Sequence, residues 1–333
     1  MTTPLLEIKD LTVDFRGRDE SLKKIVRGVS LTLNPGERMG LVGESGCGKS
    51  TLQLAAMGLL PPNAEVSGSV LIDGVDILAG GEASMRAHRG TDLAMVFQGA
   101  MNAFNPTRTV GSQIVEAMVV HGGTSKRAAQ DRTRDLLGLV GIPPDRAERY
   151  PHQFSGGMRQ RVALAMALAN HPRVLLADEP TTALDVIMQA QILELLEKLT
   201  KEFGLALLLV THDLPIVVET CDWAAVMYSG RIVERGPIDE IHQQPTHPYT
   251  RLLFATVPGP DVDQRVASLP GVPPDASEEP PGCSFAPRCD RTIDICHNTR
   301  PQPGPIGPRH IAECHVAVPT RTRPAVREGD SDD

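Results

Sequence analysis

Aromatic side chains are scarce in this 333-residue chain, at 3%, although a hydrophobic content of 41% still supplies a packed core. An excess of basic residues is also missing. The net charge of −8 argues against nucleic acid as the main ligand, because such binders carry a basic stripe. No apolar run approaches the ~20 residues that a membrane helix needs. The opening Met1-Thr2-Thr3-Pro4-Leu5-Leu6-Glu7 lacks the basic and apolar regions of a signal peptide. These absences lead us to expect a cytosolic chain, with any membrane role coming through partners. At ~150 residues per domain, the length suits one large domain and a smaller one.

The six cysteines do not form an evenly spread disulfide framework. Cys47 sits in a glycine-rich loop and Cys221 in a strand-like region, while Cys283, Cys289, Cys296 and Cys314 cluster near the end. In a reducing compartment such a cluster is more often a metal site than a pair of disulfides.

Residues 5–42 read as short strands: Leu6–Ile8, Leu11–Phe15 and Gly28–Leu33, then a turn at Asn34–Glu37 and a buried strand Met39–Val42. The loop Gly43–Ser50 opens a helix expected to run to Leu60, stopped by Pro61-Pro62. Leu93–Phe97, Val174–Ala177 and Leu205–Val210 are further apolar strands, the last two flanking a helix over Val186–Phe203. Strands alternating with helices predict an α/β fold with a parallel sheet covered on both faces. The stretch from about 99 to 165 is helical in character and reads as an insertion into that sheet. Half of the 28 prolines fall from Pro258 onward. This divides the chain into a domain over 1–257, a Pro/Cys-rich segment over 258–318 and a polar tail over 319–333 expected to be disordered.

Gly43-Glu44-Ser45-Gly46-Cys47-Gly48-Lys49-Ser50 satisfies the phosphate-loop pattern G-x-x-x-x-G-K-[ST], between a strand and a helix, with Thr51 next. The glycines let backbone N–H groups curl around phosphates, and the helix N-terminus adds a favourable dipole. Lys49 is placed to reach the β- and γ-phosphates of ATP, and the Ser50 hydroxyl to coordinate Mg²⁺. Asp178 ends a buried strand, where a carboxylate holds Mg²⁺ directly or through water. Glu179, one residue on, points differently and suits polarising the attacking water. Gln98 and His212 also follow strand ends, suited respectively to Mg²⁺ with the nucleophilic water and to the γ-phosphate. Phe154-Ser155-Gly156-Gly157-Met158-Arg159-Gln160 places a Ser-Gly-Gly turn at a helix start, a second anion surface.

In order, the loop 43–50, Gln98, Ser155-Gly156-Gly157, Asp178-Glu179, Ala183-Leu184-Asp185 and His212 resemble the ATP-binding subunits of ABC transporters over residues ~5–255. That resemblance implies a P-loop NTPase cassette with a helical subdomain. It also implies that the signature turn of one subunit caps the ATP on its partner's phosphate loop, with Asp185 near the opposite subunit. The signature reads Phe-Ser-Gly-Gly-Met rather than the commoner Leu-Ser-Gly-Gly-Gln, which spares its core. Phe15, the only aromatic before the loop, is the family's choice for stacking adenine; a core strand side chain is the other reading. Cys47, near a helix N-terminus that lowers thiol pKa, is expected to be reactive and protected by ATP.

The stretch Gln244-Pro245-Thr246-His247-Pro248-Tyr249-Thr250-Arg251-Leu252-Leu253 and the later cysteines are similar to oligopeptide/dipeptide importer subunits over ~245–316. The resemblance implies import of short peptides, or of a related solute such as a nickel chelate or glutathione. The implied partners are two transmembrane permeases, a second ATPase copy or sister chain and, indirectly, an extracytoplasmic solute-binding protein. The implied location is peripheral, on the cytoplasmic face of the inner membrane. Cys283-x5-Cys289-x6-Cys296-x17-Cys314 offers soft thiolates for Zn²⁺ or an iron–sulfur cluster. Some members of the subfamily carry a [4Fe–4S] cluster there, and four free buried thiols are the remaining reading. A non-transport ATPase of the same class, acting on DNA or ribosomes, is disfavoured by one cassette and no heptad run. A metal-sensing regulator is disfavoured by the complete hydrolytic set.

Overall fold

A computed structural model describes residues 3–18, 20–99, 104–182, 184–257, 271–272, 274 and 279–317. Ala183 and the tail over 319–333 lie outside the described residues.

The N-terminal part forms an antiparallel sheet in the order β2-β1-β4-β5, from β1 (Leu6–Arg16), β2 (Leu22–Leu33), β4 (Ala64–Ile72) and β5 (Val75–Asp76). The first two short strands expected from sequence are one long strand here. The break between them is a bulge: the β1–β2 register shifts between Ile8 and Leu11, and Asp10 takes a φ of 45° with its N–H donating to Ser30 Oγ at 2.9 Å.

The second sheet has the order β11-β12-β10-β9-β3-β8-β7-β6. Its parallel part comprises β6 (Leu93–Val96), β7 (Val174–Asp178), β8 (Ala206–Val210), β3 (Arg38–Val42) and β9 (Trp223–Tyr228). Every residue of β7 and β8 is buried, as unbroken apolar runs covered on both faces must be. Along β8 the residues alternate between two clusters. Leu207 and Leu209 join a core with the helical insertion and α6 (Val186–Phe203). Leu208 and Val210 join a core with the N-terminal sheet and α1 (Lys49–Ala56).

Helix α1 stops four residues short of the expected Leu60, because Gly58 adopts a φ of 60° just past its end. After α2 (Gly81–His88), the segment between β6 and β7 holds α3 (Val110–His121), α4 (Lys126–Leu139) and α5 (Gly156–Ala167). Thr109, Ser125 and Ser155 each cap one of these three helices through their side chains. Cys221, expected in a strand, instead closes α7 (Leu214–Thr220) two residues before β9.

Beyond β9 the chain turns back as β10 (Arg231–Pro237), then forms α8 (Ile238–Gln243) and α9 (Pro248–Phe254). The C-terminal segment contributes α10 (Asp294–Asn298), β11 (Gly304–Gly307) and β12 (His310–Ala312). Strand β12 pairs antiparallel with β10, matching Glu234 to Ala312, so this segment continues the central sheet.

Candidate functional site

All the strand-end residues singled out from sequence lie at the carboxyl edge of the parallel strands, where ligands bind in open α/β sheets. The loop after β3 is fixed by glycines that nothing else can replace. Gly43 has a φ of 153°, and a Cβ there would fall 2.1 Å from the Met227 carbonyl oxygen. Gly48 caps α1 with a φ of 108°. Ser45 and Gly46 form the exposed tip, and Thr51 lies in the first turn of α1. Lys49 is buried on the loop, its Nζ donating to the carbonyls of Gly43 at 2.7 Å and Glu44 at 3.0 Å.

The Ser50 hydroxyl donates to Asp178 Oδ1 at 3.1 Å, so the two oxygens expected beside a cation adjoin each other. Burial pushes the Asp178 carboxyl up, and the Ser50 hydrogen bond offsets this only in part. Glu179 gathers three side chains. Gln98 Nε2 and Thr182 Oγ1 both donate to its Oε2 at 2.8 Å, and His212 Nδ1 lies 3.0 Å from its Oε1. Burial raises the Glu179 carboxyl, but the His212 and Thr182 hydrogen bonds more than reverse this and hold it below the usual range. Its own backbone is in the left-handed region, φ 46°, pinned by its N–H donating to the Val210 carbonyl at 2.8 Å. Sequence reading missed Thr182. Its position in the turn starting at Glu179, closed by Thr182 N–H to the Glu179 carbonyl at 3.2 Å, is the signal that could have revealed it.

The Ser-Gly-Gly turn starts α5, with Ser155 Oγ accepting from Met158 N–H at 3.4 Å. A Cβ on Gly157 would come within 2.2 Å of Met188 Cε on α6. Asp185 caps that same helix, accepting from Met188 N–H at 2.9 Å. The turn and Asp185 therefore meet at one residue, Met188, the turn at its side chain and Asp185 at its backbone N–H. Phe15 is half-buried on β1 and packs against the core under the N-terminal sheet.

One expectation needs correction and a second finds no support. Cys47 is buried, and burial raises its thiol pKa despite the Lys49 ammonium, so the helix N-terminus does not make it a ready nucleophile. Cys283, Cys289, Cys296 and Cys314 do line one pocket, of about 10 Å³, together with His247 and Phe285. Yet all four are free thiols, and among the described residues no group of three or more His, Cys, Asp or Glu side chains is arranged to hold a metal ion. Burial also pushes Cys283 up to about 11 and raises Cys289 and Cys314. An iron–sulfur or zinc centre is not supported by this arrangement.

A phosphate loop, a buried Asp followed by a Glu at the end of β7, and a helical insertion whose last helix starts on Ser-Gly-Gly define a P-loop ATPase cassette of the ABC type. Residues 26–182 match the ABC transporter family, and residues 233–296 match the oligopeptide/dipeptide transporter C-terminal region. The chain is 45% identical to the probable peptide ABC transporter ATP-binding protein y4tR of Sinorhizobium fredii, over 93% of this chain and 94% of that protein. It is 43% identical to the dipeptide transport ATP-binding protein DppD of Bacillus subtilis, over 99% of each. The dimeric bacterial ABC transporter cassette MJ0796 superposes with a TM-score of 0.62 at 28% identity, covering 70% of this chain and 98% of that one. A second structure of that cassette, in a post-hydrolysis state with ADP and Pi, gives the same score. The chain belongs to the ABC transporter ATP-binding proteins, in the group that carries the oligopeptide/dipeptide C-terminal region.

Proposed function

We propose that this chain is the ATP-hydrolysing, energy-coupling subunit of an importer for di- and oligopeptides. The observation that carries this reading is the extent of the likeness. It runs through the C-terminal region as well as the cassette, and the relatives matched along their whole length are named for peptide transport.

In this reading the N–H groups from Gly46 to Thr51 receive the phosphates and Lys49 moves from the loop carbonyls to the β/γ oxygens. Ser50 and Asp178, already in contact, offer hard oxygen donors suited to Mg²⁺, with Gln98 as a third. When bound, Mg²⁺ neutralises charge developing on the phosphates. Glu179, held ionised, accepts a hydrogen bond from the attacking water, while His212 and Gln98 orient the carboxylate and face the γ-phosphate. Phe15 is assigned to the adenine. Ser155, Gly156 and Gly157 cap ATP held by the opposite subunit, a second copy or a sister chain, with Asp185 at that boundary.

Two permeases are the membrane partners. A groove of about 420 Å³ beside Phe97, lined by Met57, Met95, Val96, Ala163 and Met166 among others, supports docking next to Gln98. Among the described residues no helix is long and apolar enough to cross a membrane, so attachment at the cytoplasmic face runs through those partners. We assign residues 1–257 to the ATPase unit and 258–318 to an extension of it. Uptake of labelled dipeptides, against nickel chelate and glutathione, in a strain lacking this chain tests the reading. Loss of dipeptide uptake alone is expected; loss of only nickel or glutathione uptake overturns the peptide assignment.

A second reading concerns the four thiols. They line one pocket but are not arranged to hold a metal, so a thiophilic centre, [4Fe–4S] or Zn²⁺, requires them to close in and lose their protons. Iron, sulfide and zinc analysis of anaerobically purified protein tests it, and protein free of all three rejects it.

A further inference from the structure

The C-terminal segment reaches across the molecule to the phosphate loop itself. Arg288 donates from Nη1 to Glu44 Oε2 at 2.7 Å and from Nη2 to Glu44 Oε1 at 2.9 Å, a bidentate pair whose side chains are 5% and 18% exposed. The two residues are 244 positions apart. Arg288 Nη1 also donates to the Tyr228 hydroxyl at 3.2 Å, and its guanidinium lies 5.8 Å from the ring centres of both Tyr228 and Phe285. Those rings pack with Tyr249 as a three-ring wall, with centroids 4.5–5.4 Å apart. Tyr249 completes the grip, its hydroxyl accepting the Glu44 N–H at 2.9 Å.

Glu44 is thus held at both its side chain and its backbone nitrogen. Its carbonyl faces the other way, into the loop, where it accepts from Cys47 N–H at 3.3 Å and from Lys49 Nζ at 3.0 Å. The carbonyl that shares the Lys49 ammonium with incoming phosphate is therefore placed by a residue of the C-terminal segment. A bidentate, poorly solvated Arg–carboxylate pair is both directional and strong, whereas an exposed pair contributes little.

We propose that Arg288 is a positioning residue for nucleotide binding: through Glu44 it sets the phosphate loop, so the fold of the thiol-lined segment governs affinity for ATP. The inference rests on ATP binding at that loop. Arg288 stands next to Cys289, and opening of that thiol pocket would loosen the clamp.

The test uses the full chain, with Mg·ATP as probe, reading Kd and steady-state hydrolysis. In Arg288→Gln we expect KM and Kd for ATP to rise about tenfold, the equivalent of about 1.4 kcal/mol. We expect kcat to stay within about twofold, because no hydrogen bond joins Arg288 to Glu179, Gln98 or His212. Glu44→Gln should do the same, and the double variant should be no worse than either single one. Arg288→Lys, which keeps the charge but loses the fork, should recover part of the affinity even if Arg288→Gln folds poorly. Arg251→Ala, which breaks the exposed Arg251–Asp290 pair of the same region, should change neither parameter. An unchanged KM in Arg288→Gln, additive effects in the double variant, or an equal KM rise in Arg251→Ala would overturn the proposal. If the parent chain itself failed to bind ATP, the functional reading would fall instead.

Discussion

The catalytic edge and the C-terminal segment solve opposite problems with the same charged side chains. At the edge, Glu179 keeps its partners half in water: the His212 side chain is 68% exposed and Gln98 is exposed too. Groups left open in this way remain available to a substrate. Where the C-terminal segment docks on β10, Glu234 is fully buried and accepts from the backbone of Thr246 and His247 at 2.8 Å each and from His310 Nε2 at 2.9 Å. His310 in turn holds Glu240 at 2.8 Å through Nδ1. Here the charges are spent on attachment, and nothing is left over for chemistry. One carboxylate is poised and the other is satisfied. That contrast separates a reactive cluster from a structural one better than residue type does.

The largest expected effect falls on the poised side. Glu179→Gln keeps the shape and the Thr182 contact but removes the anion proposed to accept from the attacking water. Turnover should drop by about 10²–10⁴-fold while ATP binding persists, read by single-turnover hydrolysis and nucleotide retention. Hydrolysis at the parental rate would show that the cluster is not poised after all.

On the satisfied side, His310→Ala strands a buried carboxylate and should cost about 3–5 kcal/mol in a urea melt. The same pair predicts a pH window. The Glu234 hydrogen bond raises the His310 pKa against the opposing effect of burial. Its contribution is full below the ordinary histidine value and lost as pH rises through the raised one. Burial raises Glu234, but hydrogen bonds from His310 and from the His247 and Thr246 backbone outweigh it and lower the value. That contribution is present above the ordinary carboxylate value and lost as pH falls through the lowered one. Stability of the segment should therefore fall on both sides of a middle range, and His310→Ala should flatten the alkaline limb.

The smallest effect falls outside both regions, where α5 meets α6. Gly157→Ala overlaps only the Met188 methyl, the far end of a flexible side chain, and should cost about 1 kcal/mol or less by overpacking. Trimming the neighbour in Gly157→Ala/Met188→Ala should restore the melting temperature. If it does not, close approach to Met188 is not what excludes a side chain from the signature turn.

The edge was far more readable in sequence than the segment, and the reason is physical. A phosphate loop demands glycines at fixed spacing, and a buried strand announces its end with the first charged residue. Gln98, Glu179 and His212 could thus be placed from their order and strand-end positions taken together, and the structure brings them together around one carboxylate. Arg288 and Glu44 share no local pattern, nor do His310 and Glu234, which are 76 positions apart. Such pairs exist only after folding. Cys47 shows the converse error. Its place beside a helix start was legible, but its burial was not, and burial decided the direction of its pKa. The long β1 was read as two strands because the bulge at Asp10 interrupts the alternation without ending the strand.

Strand β12 has one consequence that concerns the free chain. Without it, β10 would end the central sheet with an open row of amides and carbonyls, an invitation to pair with another molecule. The C-terminal segment covers that row and then closes the sheet with β11, a four-residue strand in which Pro305 removes one donor. Besides anchoring Arg288, the segment thus acts as a selvedge. It leaves the edge of β10 paired within the chain rather than open to another molecule.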